Sequence, residues 1–360
     1  MTQIITVTSG KGGTGKTSIS LNLSLQLAAL GFKTALFDAD LGLANINVLT
    51  GIYPDRDLAS VITGKHTLDE IIIKNYQGID IIPGSSGVEK LSDLSQTQAD
   101  LLVRSFVSLD QYDFFLFDTS AGISSQVISF CMAASYIILA VTTEPTSLTD
   151  AYALIKVLSK KGYKSDINII INQAETKKAA ESAYGQLKDT VCKFLPVRTA
   201  PLGIIAKDRH VAMSVVTQTP LTLLFPDAPA AVSIKKISRK IASHAGRNTF
   251  LPLEIFWEQC IGYLSESEQE KKGADKKETM ENAYSSSLPP NTGSRINTIL
   301  SDLEKRAVQM SKDIQALKKY LNGLDSQGKA ASRPEVTLDF EAWLEKSGLT
   351  GSSGFYGKTD

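Results

Sequence analysis

Cysteine is scarce in this chain. Cys131, Cys192 and Cys260 are the three it has, far apart and never in a C-x-x-C pair, so a disulfide framework, a zinc site and an iron–sulfur site have no spacing to rest on. No apolar run reaches the roughly 18 residues of a membrane-spanning helix. The N-terminus enters an apolar strand pattern at Ile4 with no charged stretch and apolar core of a secretion signal before it, and a cytoplasmic protein is expected. Neither sign of charge dominates: Lys plus Arg and Asp plus Glu each total 38. The chain therefore has no overall field to draw it to nucleic acid, and a nucleic-acid partner is not expected. Tandem repeats are missing as well. What is there is 360 residues, 42% of them hydrophobic, enough for one large domain with an appendage or for two ordinary domains.

The apolar run Ile4-Ile5-Thr6-Val7-Thr8 breaks into Ser9-Gly10-Lys11-Gly12-Gly13-Thr14-Gly15-Lys16-Thr17-Ser18. Gly10, Gly15, Lys16 and Thr17 satisfy G-x-x-x-x-G-K-[ST], a loop whose backbone N–H groups cradle phosphates while the lysine neutralises them and the hydroxyl reaches Mg²⁺. Gly10, Gly12 and Gly15 also spell G-x-G-x-x-G, with Asp38 ending the next apolar run, which is the spacing of a dinucleotide-binding unit. That unit leaves Lys16 and Thr17 without a task. The expected ligand is a nucleoside triphosphate, cradled by Gly10 to Ser18 and accompanied by Mg²⁺.

Up to about residue 245, short apolar runs alternate with amphipathic helix patterns: Ile4 to Thr8, Thr34 to Asp38, Ile79 to Ile82, Phe114 to Asp118, Tyr136 to Thr142, Ile167 to Asn172 and Val197 to Pro201. This predicts an α/β fold, a doubly wound and mainly parallel sheet with helices on both faces, over 1–248. The helix after the phosphate loop carries Ile19, Leu23, Leu27 and Leu30 on one face and stops at Gly31. Leu253, Phe256, Trp257, Cys260, Ile261 and Leu264 mark an amphipathic helix over 249–264, followed by a polar, charged linker over 265–293. Ile296, Leu300, Leu303, Ala307, Met310, Ile314, Leu317, Leu321 and Leu324 alternate spacings of four and three, a heptad helix over 294–324. The tail over 325–360 holds a short apolar patch near 336–347, with Leu338, Phe340, Trp343 and Leu344. Both 294–324 and 336–347 are candidate surfaces for protein partners.

Transfer of a phosphoryl group needs metal ligands, cationic clamps and a positioned water. Carboxylates stand where loops at the C-terminal ends of strands are expected to carry chemistry: Asp38 and Asp40 after the second run, Asp118 after Phe114-Phe-Leu-Phe, with Gly122 four positions on. Taken one at a time, such residues are also turn and helix-capping residues. The same holds for Asn172, which ends Ile167-Asn-Ile-Ile-Ile.

Lys11 inside the loop makes the motif Lys-Gly-Gly-x-Gly-Lys-Thr, which resembles the deviant P-loop of the MinD/ParA family. The resemblance covers roughly residues 1 to 245. Within the family it leans toward the flagellar-number regulators of the FlhG (FleN) branch, through Asp38 to Gly51, Asp118 to Ser124, Glu144 to Lys156 and Leu224 to Ala230. MinD, which places the division site, is the nearest rival. The resemblance implies an ATPase that forms a homodimer around ATP, with Lys11 reaching the phosphates held by the other subunit and Lys16 those of its own. It implies that Asp40 orients the attacking water, that Asp38 lies near the metal, and that Asp118 supports the Mg²⁺ shell through water. It also implies that Asn172 hydrogen-bonds adenine and that backbone at Pro201 frames the base; Asn172-Gln173-Ala174-Glu175 is not the N-K-x-D of guanine-specific proteins. A membrane surface is the expected contact of the 253–264 helix, peripheral at the inner face of the cell membrane, although Glu254 and Glu258 on its polar face sit poorly with anionic lipid. A helix packed on the ATPase core is the other reading. A nucleotide-binding scaffold without turnover and a ParA-type DNA partner are the alternatives from other classes.

Overall fold

The computed structural model describes residues 2–40, 45–84, 91–109, 111–244 and 251–265. The linker, heptad and tail expected over 265–293, 294–324 and 325–360 lie outside the described residues, apart from Ser265. Eight strands form one sheet among the described residues: β1 (Gln3–Ser9), β2 (Thr34–Ala39), β3 (Ile73–Tyr76), β4 (Ile79–Ile82), β5 (Phe114–Ala121), β6 (Tyr136–Thr142), β7 (Ile167–Ala174) and β8 (Thr199–Ala206). Their order is β3-β4-β2-β5-β1-β6-β7-β8, with every pairing parallel except β3 with β4. The expected doubly wound sheet with helices on both faces is what forms.

The strands read as near-continuous apolar runs because both faces are covered. Period-two alternation sorts them: Leu36, Phe114 and Leu116 pack with the helices Lys16–Ala29 and Pro229–His244, whereas Phe37, Phe115 and Phe117 pack on the opposite face. Beyond β1, the helices Pro145–Lys160 and Lys177–Phe194 cover β6 and β7. The antiparallel strand β3 escapes the apolar-run reading because it is four residues long and reads Ile-Lys-Asn-Tyr. Gln77 and Gly78, at φ 51° and 93°, close its hairpin onto β4, the left-handed pair that a two-residue turn requires. β8 begins two residues later than expected and runs five further, to Ala206. Pro201 is tolerated there because β8 is an edge strand that needs no N–H on its open side.

The stripe from Leu253 to Leu264 forms a helix over 253–265, and its apolar face lies on the core. Leu253, Phe256, Trp257 and Cys260 are 0% exposed and Leu264 2%, in one cluster with Phe37, Phe106, Phe117 and Phe130. The membrane-facing surface expected over 253–264 is therefore covered in this state, and the alternative, a helix packed on the ATPase core, describes where it sits. The physical reason is aromatic: Trp257 and Phe256 complete a cluster of ring contacts with centroids 4.4 to 6.1 Å apart that the sheet alone leaves open.

Candidate active site

The loop from Gly10 to Gly15 turns at the C-terminal end of β1, which lies between β5 and β6 at the point where the strand order reverses. Gly15 caps the helix Lys16–Ala29 in the left-handed region, at φ 86°. A Cβ on Gly15 would stand 2.5 Å from Asn172 Nδ2, and one on Gly10 would run into the backbone of Asp150 and Ala151. Both positions need glycine for close approach.

Two clefts meet at this loop, sharing Gly15 and Ser18. One, of about 370 Å³, is lined by Gly12, Gly13, Lys16, Thr17, Asp40, Asn45 and Ala121. The other, of about 260 Å³ and largely apolar, is lined by Ile19, Asn172, Gln173, the segment Ile205 to Asp208, Leu221 and Ile234. The first offers loop backbone, an ammonium and a hydroxyl, groups that suit a polyphosphate, and the second offers apolar side chains with two amides, which suit a flat base.

Asp38 and Asp118 are directly opposed in the β2–β5 register and both are buried, 1% and 0% exposed. Burial, then the charge of Asp118, raises the Asp38 carboxyl well above its ordinary range, against hydrogen bonds from the Ile46 and Asp40 N–H groups. Burial lifts Asp118 to about 6, opposed by the Thr17 and Ser20 hydroxyls and the Lys16 ammonium. Ser20 Oγ donates to Asp118 Oδ1 at 2.9 Å. Lys16 is itself lowered by burial, with Asp118 and Asp40 acting the other way. Two buried carboxylates side by side facing one lysine form a site short of positive charge.

Mg²⁺ fits that shortage. Asp118 Oδ2 is buried without a hydrogen-bond partner, and the Thr17 side chain lies on the same carboxylate. No group of three His, Cys, Asp or Glu side chains able to hold a metal exists among the described residues. The residues that would hold the ion are Thr17, Asp38 and Asp118. Asp40 stands across the first cleft, its Oδ2 accepting from Asn45 Nδ2 at 3.0 Å.

Lys11 points elsewhere. Its Nζ donates to Glu144 Oε2 at 2.9 Å and to Thr146 Oγ1 at 3.0 Å, and it does not line the phosphate cleft beside it. Asn172 Nδ2 donates to the Thr14 carbonyl at 2.7 Å and Gln173 Nε2 to the Gly13 carbonyl at 3.0 Å. Pro201 is not at the base cleft: it pairs with Ile169 in mid-strand, is exposed, and its carbonyl accepts from Lys240 Nζ at 2.6 Å. Since β8 continues to Ala206, opposite Ala174, the stretch that lines the cleft with Asn172 is Ile205 to Asp208.

The structure thus brings Gly12, Gly13, Thr14, Gly15, Lys16, Thr17, Ser18, Asp38, Asp40, Asp118 and Asn172 together, and leaves out Pro201 and, from its own cleft, Lys11. Sequence reasoning passes over Ser20, Asn45, Gln173, Glu144 and Thr146. Ser20 was within reach, four residues after Lys16 and so on the same inward helix face; the partners of Lys11 had no local signal.

An AAA domain model matches residues 2–172. The antiactivator FleN of Pseudomonas aeruginosa is 39% identical over 242 residues, 67% of this chain and 86% of that protein. The flagellum site-determining protein YlxH of Helicobacter pylori is 37% identical over 187 residues, 52% of this chain and 63% of that one. Among solved structures, the septum site-determining protein MinD complexed with Mg-ADP from Pyrococcus horikoshii has a TM-score of 0.56 at 26% identity, covering 68% of this chain and 98% of that chain. With a deviant phosphate loop, opposed buried aspartates on β2 and β5 and these likenesses in agreement, the chain belongs to the MinD/ParA family of P-loop ATPases, on its FlhG (FleN) side.

Proposed function

We propose that this protein is an ATP-dependent dimerising switch that hydrolyses ATP to ADP and phosphate and so controls the number or position of a cellular structure, flagella before the division site because the relatives of higher identity carry flagellar names. The observation that carries the reading is the convergence of Lys16, Thr17 and Asp40 on one cleft, with Asp118 buried against Thr17 and Lys16, while Lys11 faces outward, away from it. In the proposed reaction, water attacks the γ-phosphorus and the bond to the β–γ bridging oxygen breaks. Asp40, held by Asn45, orients and polarises that water, and Lys16 neutralises the phosphate oxygens. Mg²⁺, when bound, would supply further positive charge to the phosphates. Asn172, with one of its two Nδ2 hydrogens held by the Thr14 carbonyl, offers its acceptor Oδ1 to the 6-amino group of adenine.

Lys11 then acts in trans, leaving Glu144 for the phosphates of a second copy. Membrane recruitment through 253–264 requires that helix to leave the core and uncover Phe37, Phe117 and Phe130. No helix among the described residues is long and apolar enough to cross a membrane, so any membrane contact by them is peripheral. The test is ATP turnover and oligomeric state measured together for wild type, Lys11→Ala and Asp40→Ala with Mg²⁺, with and without anionic liposomes. An ATP-dependent dimer that Asp40→Ala traps and Lys11→Ala abolishes is expected. Three idle monomers would leave a nucleotide-binding scaffold in place of a switch.

A further inference from the structure

Gln173 lines the base cleft, the proposed chemistry does not use it, and its backbone is unusual. It is a non-glycine residue at φ 56°, a conformation that carries strain for any side chain. It sits where the β7–β8 register shifts, between Ile171 and Ala174, and such irregularities re-aim a side chain beside a site. Here the re-aiming has a definite target. The exposed Gln173 amide turns back over the cleft to the Gly13 carbonyl, while its neighbour Asn172, 8% exposed, takes the carbonyl of Thr14. Two consecutive carbonyls of the phosphate loop are thus held by two consecutive side-chain amides from β7.

A loop that cradles phosphates must point its N–H groups inward, so its carbonyls must point out and find donors elsewhere. We infer that Gln173 is a positioning residue for nucleotide binding: its left-handed backbone at the end of β7 directs the side-chain amide onto the Gly13 carbonyl and so presets the loop's N–H groups for the phosphates. This inference rests on the reading of the loop as an ATP site and adds to it a residue that touches neither phosphate nor metal. It has a signature that an ordinary stabilising contact lacks. Gln173→Gly removes the backbone strain and the amide together, so folding stability and nucleotide affinity should move apart.

The full chain carrying Gln173→Gly or Gln173→Met, the latter of similar length without a donor, is compared with wild type for Mg-ATP and Mg-ADP binding by titration calorimetry, for steady-state ATP turnover, and for nucleotide-free melting temperature. Loss of one amide–carbonyl bond predicts about three- to tenfold weaker binding of both nucleotides in both variants. The KM should rise with kcat unchanged, because the loop is braced in ground and transition states alike. Gln173→Gly should melt no lower than wild type. If wild type binds Mg-ATP and both variants bind it as tightly, the positioning role is overturned and the ATP site stands. Weakening confined to ATP, or a fall in affinity matched by a fall in melting temperature in both variants, also overturns it. Failure of wild type itself to bind Mg-ATP would remove the ATP reading and this inference with it.

Discussion

Trp257→Ala tests whether the helix over 253–265 is part of the ATPase core in solution. Trp257 is 0% exposed, and its ring lies 4.8 to 5.9 Å from those of Phe37, Phe106, Phe117, Phe130 and Phe256. Truncating so large a buried side chain costs about 3–5 kcal/mol. Part of that is offset, because the indole Nε1 has no hydrogen-bond partner and deleting a buried unpaired donor returns about 1–3 kcal/mol. The central values of about 4 and about 2 kcal/mol leave a net loss of about 2 kcal/mol, a sizeable share of the roughly 5–15 kcal/mol that holds a domain folded. Trp257→Phe keeps a ring in the cluster and discards the unpaired donor, so it should lie within about 1 kcal/mol of wild type. Urea denaturation followed by far-ultraviolet circular dichroism measures both, since the fluorophore is what is being changed. Emission of Trp257 in a Trp343→Phe background should be that of a buried indole. A cost below about 1 kcal/mol for Trp257→Ala, or a solvent-like emission, would mean the helix does not rest on the sheet. The effect should also reach the site, because Phe37 and Phe117 immediately precede Asp38 and Asp118.

Three further outcomes are expected. Asp40→Ala should lower ATP turnover by about a hundredfold or more while Mg-ATP binding stays near wild type; a variant that turns over within a few fold of wild type would remove Asp40 from the chemistry. Gly10→Ala should lower the melting temperature, since its methyl meets the backbone of Asp150 and Ala151, which cannot rotate aside, at a cost of about 1–3 kcal/mol; an unchanged melting curve would contradict the close approach. Asp208 is subject to a burial effect that raises its carboxyl, but hydrogen bonds from the His210 and Ala230 N–H groups and the His210 ring outweigh it, and the net shift is downward. A lowered carboxyl contributes stability above its unfolded value that is lost as pH falls through the folded one. Asp208→Asn should therefore flatten the acid limb of a stability-against-pH curve, and an unaltered limb would count against it.

The parts of the site that were legible in the sequence are those whose chemistry is local. The glycines, Lys16 and Thr17 form one turn, and Asp38 and Asp118 each end an apolar run, so spacing alone places them in the C-terminal halves of their strands, although β5 runs three residues past Asp118 to Ala121. That the two aspartates oppose one another depends on β5 inserting between β1 and β2, which no spacing records. Pro201 was misplaced by a length: the edge strand continues to Ala206 because its open side tolerates a proline, and the base cleft moves with the strand end. The stripe of 253–264 was visible as an amphipathic helix, but amphipathicity says only that an apolar face must be covered, and lipid and core satisfy it equally. What decides is the aromatic cluster on the far face of the sheet, assembled from Phe37, Phe106, Phe117 and Phe130, residues distant in sequence.

Lys11 shows how far the structure of one chain carries a proposal about two. Its ammonium rests on Glu144 and Thr146, and in the proposed dimer an ATP-bound partner would have to draw it away from them. That contact is half open to solvent, with the two side chains 41% and 62% exposed, and exposed ion pairs contribute about 0–1 kcal/mol. A triphosphate carries several charges and multiplies that attraction, so the Glu144 contact sets the direction of the resting lysine without holding it there. Glu144→Gln should then shift the Mg-ATP concentration at half-maximal dimer formation by less than about fivefold, as read by light scattering across a nucleotide titration. A shift beyond about tenfold would correspond to more than about 1.4 kcal/mol. The pair would then act as a latch, and the threshold of the switch would lie in Glu144 as much as in ATP.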